Sequence, residues 1–360
     1  MGSKPQGISG SRAATVLGLN KFQSELELWQ RLMEEQYPGF NAEQGYTLPA
    51  DPDNASLRWG TAFEDAIASL AEENQGSEVV KRESLFYFHT GLEEAHEACP
   101  DLTSKVLPWG QYISCHIDGY YVGHRKGNKI LHEGKHTSQF FFKDNWGLPG
   151  TDKVPAYIQC QVQHQLLCTG AESCIVSVLV FPKRPDEWEK EGWHFHYNLK
   201  KQNDYKLHND DRILEDTIPP IVWATVLDQM GYFHQYPIQA DKALHKIMLE
   251  KYTAWWQEHI IGKTEPVPTN TDDIKRLFPE PIGTIVANEE IEYLCSEYKE
   301  IGKEISKTGR LGKRREDLKV RILDWMRKQD SAIDEDSREK TILRDRAGKR
   351  LVSWNGKAFR

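Results

Sequence analysis

The sequence has no apolar run near the ~18–20 residues a helix needs to cross a bilayer, so no membrane-spanning helix is expected. Its start, MGSKPQGISGS, lacks the basic-then-apolar order of a secretory signal. Cysteine is sparse: the six residues, at 99, 115, 160, 168, 174 and 295, form no CxxC pair and no Cys/His cluster. That spacing argues against a disulfide framework, a zinc ribbon or an iron–sulfur centre, and a reducing cytoplasm is the expected compartment. Internal repeats and low-complexity tracts are missing too. So is any general excess of positive charge, the net charge being −8.

What the chain does have is core-forming material. Hydrophobic residues make up 39% of the 360, with 11 Trp and 13 Phe, enough for one large packed core with appendages or for two domains. Charge is unevenly spread. From Lys303 to Arg360 there are 18 Lys and Arg against 10 Asp and Glu, which leaves the preceding residues at −16. Such asymmetry suits a basic appendage that meets nucleic acid beside an acidic body that holds metal ions. A solvated helical tail of mixed charge accounts for it equally well.

Two short helices are expected over SGSRAATVLGL and SELELWQRLMEEQ, then a loop over 40–56 containing Pro49, Pro52 and Asn54. SLRWGTAFEDAIASLAEEN restarts a helix with Ser56 as its cap, its Trp59, Phe63, Ala66, Ile67 and Leu70 forming one stripe. Strands follow over VVKRESLFYFH, YISCHIDGYYVG and KILHEGKHTS, the last two joined at Gly127-Asn128. A helix follows Pro155 and stops at Gly170; then come strands CIVSVLVFP and GWHFHYNLKK. Residues 204–231 read as an insertion, GYFHQYPIQA as a returning strand and DKALHKIMLEKYTAWWQEHI as a helix. The expected division is a body over 1–265, a Pro-rich linker over 266–285, and a basic helical and β-hairpin extension over 286–360. Helices before, between and after a few strands imply a mixed α/β (α+β) core.

In LHEGKHTS, strand alternation projects Glu133 and Lys135 together and Gly134 away. A hairpin closing at Gly127-Asn128 puts Asp118 on the neighbouring strand near Glu133. Two close carboxylates raise one another's pKa unless a cation lies between them, and hard oxygen ligands on strands suit Mg²⁺ or Mn²⁺. The alternative is an exposed ribbon with a cross-strand salt bridge. Glu64 lies about 100° round the helix from Phe63, at the border of the buried face, whereas Asp65 faces solvent. A carboxylate there needs a partner or must reach back to water. On the helix after Pro155, Tyr157, Gln161, His164 and Cys168 share one face and Ile158, Val162 and Leu166 another, so the first can line a polar cleft. His164 alone reads more naturally as a hydrogen-bonded core or surface histidine than as a catalyst.

The order ISGSRAA, LRWGTAFED, CHIDGYY, LHEGKHTS, YIQCQVQHQLL resembles the YqaJ-type viral recombinases and the lambda-type phage exonucleases of the PD-(D/E)xK superfamily. The likeness covers about residues 7–180, continuing more loosely into the helix near 241–260 and the tail beyond 286. It implies a restriction-endonuclease-like core with a mixed central sheet flanked by helices. It further implies that Asp118, Glu133, helix-borne Glu64 and the Gly134 carbonyl ligate divalent ions, two Mg²⁺ with Mn²⁺ as a substitute. Lys135 would assist the attacking water and Gln161 would contact the active centre, with Tyr157 beside it. Ser11 matches the small hydroxyl that holds a 5′-phosphate; Arg12 and Lys4 are the accompanying cations, and Thr137 and Ser138 are further DNA contacts. Ser11 as a plain helix cap remains an alternative.

The activity implied is 5′-to-3′ exonucleolytic degradation from double-stranded DNA ends, leaving a 3′ single strand for a phage annealing protein in the bacterial cytoplasm. A structure- or sequence-specific endonuclease and a non-catalytic DNA-binding scaffold are the rivals. The phenylalanines of FFFKDNW (140–146) either part the strands or belong to the core. Ile117 stands where the superfamily name has proline. The insertion and the tail have no counterpart in the compact lambda enzyme, so its ring-shaped trimer is not carried over and any homo-oligomer is left open.

Overall fold

The computed structural model describes residues 7–47, 55–81, 85–87, 112–122, 130–190, 193–197, 205–209, 219–279, 283–304, 309–329, 340–356 and 358–359. Its helices are α1 (Gly10–Val16), α2 (Glu25–Gln36), α3 (Phe40–Glu43), α4 (Ala55–Gln75), α5 (Gln139–Asn145), α6 (Ala156–Thr169), α7 (Pro185–Lys190), α8 (Pro220–Gln229), α9 (Lys242–Trp255), α10 (Thr271–Leu277), α11 (Glu289–Glu304) and α12 (Gly309–Arg327). The strands are β1 (Val79–Lys81), β2 (Leu85–Tyr87), β3 (Ser114–His116), β4 (Gly119–Tyr121), β5 (Ile130–Ser138), β6 (Ser173–Phe181), β7 (Trp193–Tyr197), β8 (Tyr205–Asn209), β9 (Phe233–Gln239), β10 (Thr284–Val286), β11 (Thr341–Arg344) and β12 (Arg350–Trp354). The Gly127-Asn128 turn, Lys4, and residues 204 and 210–218 of the expected insertion lie outside the described residues. No helix among the described residues is long and apolar enough to cross a membrane.

The chain forms two compact units, Met1–Leu19 with Asp51–Ala254, and Asn20–Ala50 with Trp255–Arg360. The first is built on a five-stranded mixed sheet in the order β1-β4-β5-β6-β9. β5 and β6 run parallel over nine residues, from Ile130 opposite Ser173 to Ser138 opposite Phe181, and the other pairs are antiparallel. The α5–α6 segment makes the crossover that a parallel pair requires. With α4 ahead of the first strand, this is the mixed α/β core, a mixed sheet flanked by helices, expected from the sequence. The α4 stripe behaves as its periodicity predicts: Trp59, Phe63, Ile67 and Leu70 are buried against Leu179 and Phe181 of β6. Ser56 lies inside the first turn of α4 and not ahead of it.

Two strands differ from expectation in a way that matters. YISCHIDGYYVG divides at Ile117-Asp118 into β3, paired with β2, and β4, paired with β1 and β5. Lys81 stands opposite Gly119, but Leu85 stands opposite His116, so the register shifts by one residue across the break, as a β-bulge does. The helical end of the insertion belongs to the core, with Ala224 and Leu227 of α8 packed in the same cluster as Phe63.

The second unit corrects the expected boundaries. Residues 266–285 contain α10 and β10 and are no linker, and residues 20–50 join the C-terminal segment. The reason lies in contacts far apart in sequence. α2 buries Leu26, Leu28, Trp29, Leu32 and Met33, and the Trp29 indole donates to the His259 carbonyl at 2.8 Å. Ser24 donates to Asp273, and Arg276 bridges Asp273 and Glu27. The terminal hairpin β11–β12 forms as expected, with β10 added parallel to β11. Much of the basic surplus is matched locally: Arg314 to Glu297, Arg321 to Glu290, Arg346 to Glu289, and Arg327 to Glu265 and Asp324.

Candidate active site

β5 alternates its side chains between two covering helices. Glu133 and Lys135 face α6, whose Gln161 and Gln165 both reach Glu133. Gly134 and His136 face α4: a Cβ on Gly134 would lie 3.3 Å from Ile67 Cγ2, and one on Gly60 would lie 3.0 Å from His136 Nε2. Pairing of β4 with β5 ends at Gly119 opposite His132. Beyond that point this edge of β5 has no ladder partner in β4. The Gly134 amide instead donates to Asp118 Oδ2 at 2.8 Å. A strand residue's N–H and C=O point to the same edge, so the Gly134 carbonyl faces this opening too.

Glu133 is fully buried, and each oxygen has its own donors. Oε1 accepts from Gln161 Nε2 at 2.5 Å and from the Lys135 ammonium; Oε2 accepts from Gln165 Nε2 at 2.7 Å. Burial, then the neighbouring Asp118 charge, pushes the Glu133 pKa up, and the Lys135 charge and the hydrogen bonds from Lys135 and Gln165 only partly offset that. Burial pulls Lys135 down, but the charges of Glu133 and Asp118 together outweigh it and the net shift is upward, so Nζ is an ammonium. Half-buried Tyr157 has its phenol raised by burial, while Lys135 acts in the opposite sense, which places the ring within the field of that amine.

With both carboxylates ionised, Asp118, Glu133 and Lys135 sum to one net negative charge at the open edge. That donor set fits a hard divalent ion. Mg²⁺ is held by one or two carboxylates, completing its shell with water and substrate phosphate oxygens. Among the described residues no group of three or more His, Cys, Asp or Glu stands close enough to hold a metal ion. The expected convergence of Glu64 with Asp118 and Glu133 is therefore not formed. Glu64 is exposed on α4, between Gly60 and Ile67, which pack over the opposite face of β5 from the Glu133 carboxylate.

Of the expected outer residues, Ser11 is exposed in the first turn of α1. It is not the helix cap: Ser9 holds that position, and Ser9 Oγ lies 3.3 Å from Ser11 Oγ. The turn rests on α6, a Cβ on Gly10 coming within 3.3 Å of Gln161 Cγ. Arg12 donates to the Gly7 carbonyl at 2.7 Å, Thr137 pairs with Val180 in the β5–β6 ladder, and Ser138 caps α5 through the Phe141 amide. FFFKDN is helical: Phe142 stacks on His234 and Trp146 packs on Tyr236, while Phe140 is 79% exposed.

His164 takes the structural role. Buried, it has Nε2 2.9 Å from the Ser114 carbonyl and Nδ1 3.1 Å from the Tyr252 hydroxyl. The residue that sequence reasoning missed is Gln165. It lies four positions after Gln161 on the same face, a spacing legible in QVQHQ once the polar face is centred on Gln161 and not on His164.

Residues 2–172 match the model of the YqaJ-like viral recombinase domain, a span that contains Asp118, Glu133, Lys135, Gln161 and Gln165. The chain is 25% identical over 167 residues to the uncharacterized protein YqaJ of Bacillus subtilis (strain 168), an alignment covering 46% of this chain and only 40% of that protein. Among solved structures, the alkaline exonuclease LHK-Exo of Laribacter hongkongensis matches with 16% identity and a TM-score of 0.40, over 70% of this chain and 87% of that one. A phage-related exonuclease of Haemophilus somnus 129PT matches with 13% identity and a TM-score of 0.38, over 72% and 98%. Over residues 2–172, just under half of its length, this chain is similar to the YqaJ-like viral recombinase domain.

Proposed function

We propose that this chain is a Mg²⁺-dependent exodeoxyribonuclease that enters double-stranded DNA at its ends and degrades 5′ to 3′. It would leave a 3′ single strand for a phage annealing protein in the bacterial cytoplasm. One observation carries this reading: two carboxylates and an ammonium meet where β5 loses its β4 partner, Glu133 being bonded to Lys135 and Asp118 to the Gly134 amide. A divalent ion bound there supplies Lewis-acid stabilisation of the charge that develops on the scissile phosphate.

The chain's own groups do the rest. Asp118, Glu133 and the Gly134 carbonyl bind that ion from the strand edge, and Glu64, exposed on α4, would have to swing toward it to serve as a further ligand. Lys135, held as an ammonium by its two acidic neighbours, orients the attacking water and offsets negative charge in the transition state. Gln161 holds Glu133 Oε1, and Tyr157 borders the amine. Ser11 and Arg12, at the α1 turn resting on Gln161, receive a terminal 5′-phosphate. Exposed Phe140, five residues beyond Lys135, is a surface on which an unpaired base can stack.

The test is Mg²⁺-dependent digestion of a linear duplex with 5′-phosphate ends, the same duplex with 5′-hydroxyl ends, and a closed circle. Loss of the phosphorylated linear strand from its 5′ end with the circle intact is the expected result. Cleavage of the circle would establish an endonuclease instead, and inertness on all three with duplex binding retained would establish a scaffold.

A further inference from the structure

Glu133 and Asp118 can act on one ion only if their separation is fixed, yet β4 and β5 are no longer paired where they stand. The Gly134 amide holds the Asp118 carboxylate itself, but the backbone that carries Asp118 needs a second hold where the ladder has ended. The Gln165 amide nitrogen has two hydrogens and both are placed: one on Glu133 Oε2 at 2.7 Å, the other on the backbone carbonyl of His116 at 3.1 Å. His116 ends β3, two residues before Asp118. We propose that Gln165 is a positioning residue that sets the spacing of the Asp118–Glu133 pair, by tying the Glu133 side chain and the Asp118 arm to a single nitrogen on α6.

This deepens the nuclease reading and rests on it for its chemical purpose. Gln165 is 2% exposed, so it can touch neither DNA nor bulk water and acts only through the carboxylate it holds. No other side chain with its reach would serve as well. A Glu at 165 would set a third carboxylate against Glu133 and offer no donor, and a Met would fill the space without bonding to either acceptor. The same helix provides its own comparison. Gln163, 1% exposed, donates to the Gln239 carbonyl at 2.7 Å and accepts from the Asp241 amide at 3.0 Å, with His245 Nε2 2.9 Å away. It ties α6 to the end of β9 and the start of α9, away from Glu133. Two buried glutamines two residues apart thus differ in one respect: which elements they join.

The full chain is therefore compared as wild type, Gln165→Met and Gln163→Met, by Mn²⁺ titration calorimetry without DNA, thermal melting and duplex digestion. Outer-shell ligands of a metal site change affinity by about 10–100-fold. Gln165→Met should weaken Mn²⁺ binding by about 10-fold or more, raise the Mg²⁺ needed for half-maximal cleavage by a similar factor, and leave KM for duplex within about 2-fold. Gln163→Met should lower the melting temperature at least as much and leave Mn²⁺ affinity unchanged. Equal Mn²⁺ affinity in wild type and Gln165→Met overturns the proposal and leaves the nuclease reading intact, as does an equal loss in both variants. A wild type that binds Mn²⁺ but digests no DNA overturns the nuclease reading, while the same titrations still decide the tether. A wild type that binds no Mn²⁺ overturns both. If Gln165→Met does not fold, Gln165→Ala, which also lacks both donors and suits a helix, is titrated in its place against the same criteria.

Discussion

Acid should loosen the first unit through His164, and the size of the effect follows from its surroundings. The Ser114 carbonyl can only accept, so Nε2 carries the proton and Nδ1 must accept from the Tyr252 hydroxyl. Burial drives the imidazole pKa from 6.5 down to about 4, with the nearby His245 adding to the drop and the Ser114 bond opposing it. Above pH 6.5 the ring is neutral whether the chain is folded or not, and its contribution is intact. Below that, the unfolded chain takes up a proton that the folded one refuses, so stability falls until pH reaches about 4. Over that window, at about 1.36 kcal/mol per pH unit, the loss is roughly 3 kcal/mol. That is a sizeable part of a typical domain's stability. His136 is also held down to about 4, chiefly by burial, so the wild-type slope should contain both. The assay is hydrogen exchange of the α6 amides, corrected for intrinsic rate, in wild type and His164→Gln between pH 7.5 and 5. Between pH 6 and 5 the opening free energy of α6 should fall by about 1 kcal/mol more in wild type than in the variant. Parallel profiles would refute the assigned tautomer and burial cost together.

Asp118→Asn keeps an oxygen for the Gly134 amide but removes the charge that repels Glu133. The same charge also attracts Lys135, so the melting temperature of the metal-free protein reports the balance of the two, about 2–4 °C per kcal/mol, while Mn²⁺ affinity in calorimetry should fall at least about tenfold; unchanged Mn²⁺ affinity would remove Asp118 from the site. Lys135→Ala should reduce cleavage by about 10²–10⁴-fold with Mn²⁺ and duplex binding largely kept, and near-normal turnover would remove Lys135 from the mechanism. Gly119→Ala would bring a Cβ within 2.8 Å of Val79 Cγ1 and 3.0 Å of the Val80 carbonyl. Overpacking of that kind costs about 1–3 kcal/mol and should shift Asp118, so unchanged melting and unchanged Mn²⁺ binding would contradict the close β1–β4 approach.

Local pattern made much of this legible. Alternation placed Glu133 and Lys135 on one face, helical spacing put Gln161 on a face able to line a polar cleft, the family resemblance set it at the active centre, and the α4 stripe is buried residue for residue. What stayed hidden depends on pairing across long stretches of chain. The assignment of residues 20–50 to the C-terminal unit rests on Trp29 reaching the His259 backbone and Ser24 reaching Asp273, which neither proline content nor charge reports. The face of α6 was misjudged for a related reason. His164 looks polar in a helical projection, yet its two ring nitrogens find partners on β3 and α9, and a histidine satisfied on both sides can be buried at little cost. Gln165 then takes the position facing Glu133. Glu64 is the reverse case: its angle on α4 put it at a boundary, but angle alone cannot say on which side of a strand two helices will pack.

The break at Ile117-Asp118 explains why the carboxylates stand where they do. Had the β4–β5 ladder run on, Asp118 would pair directly with Glu133, and the backbone groups of Gly134 would be consumed by the neighbouring strand. The ladder ends one residue short of that pairing, at Gly119 opposite His132. β5 is thus held along its whole length by β6 while its other edge opens at the residues that carry charge. A rigid strand with one edge open offers oxygens at fixed positions to a cation, which a loop would offer without the rigidity. The cost is a buried, mutually repelling pair of acids. Lys135, the Gly134 amide and two glutamines from α6 offset that cost, and their number measures how unfavourable the arrangement would be without a purpose for the charge.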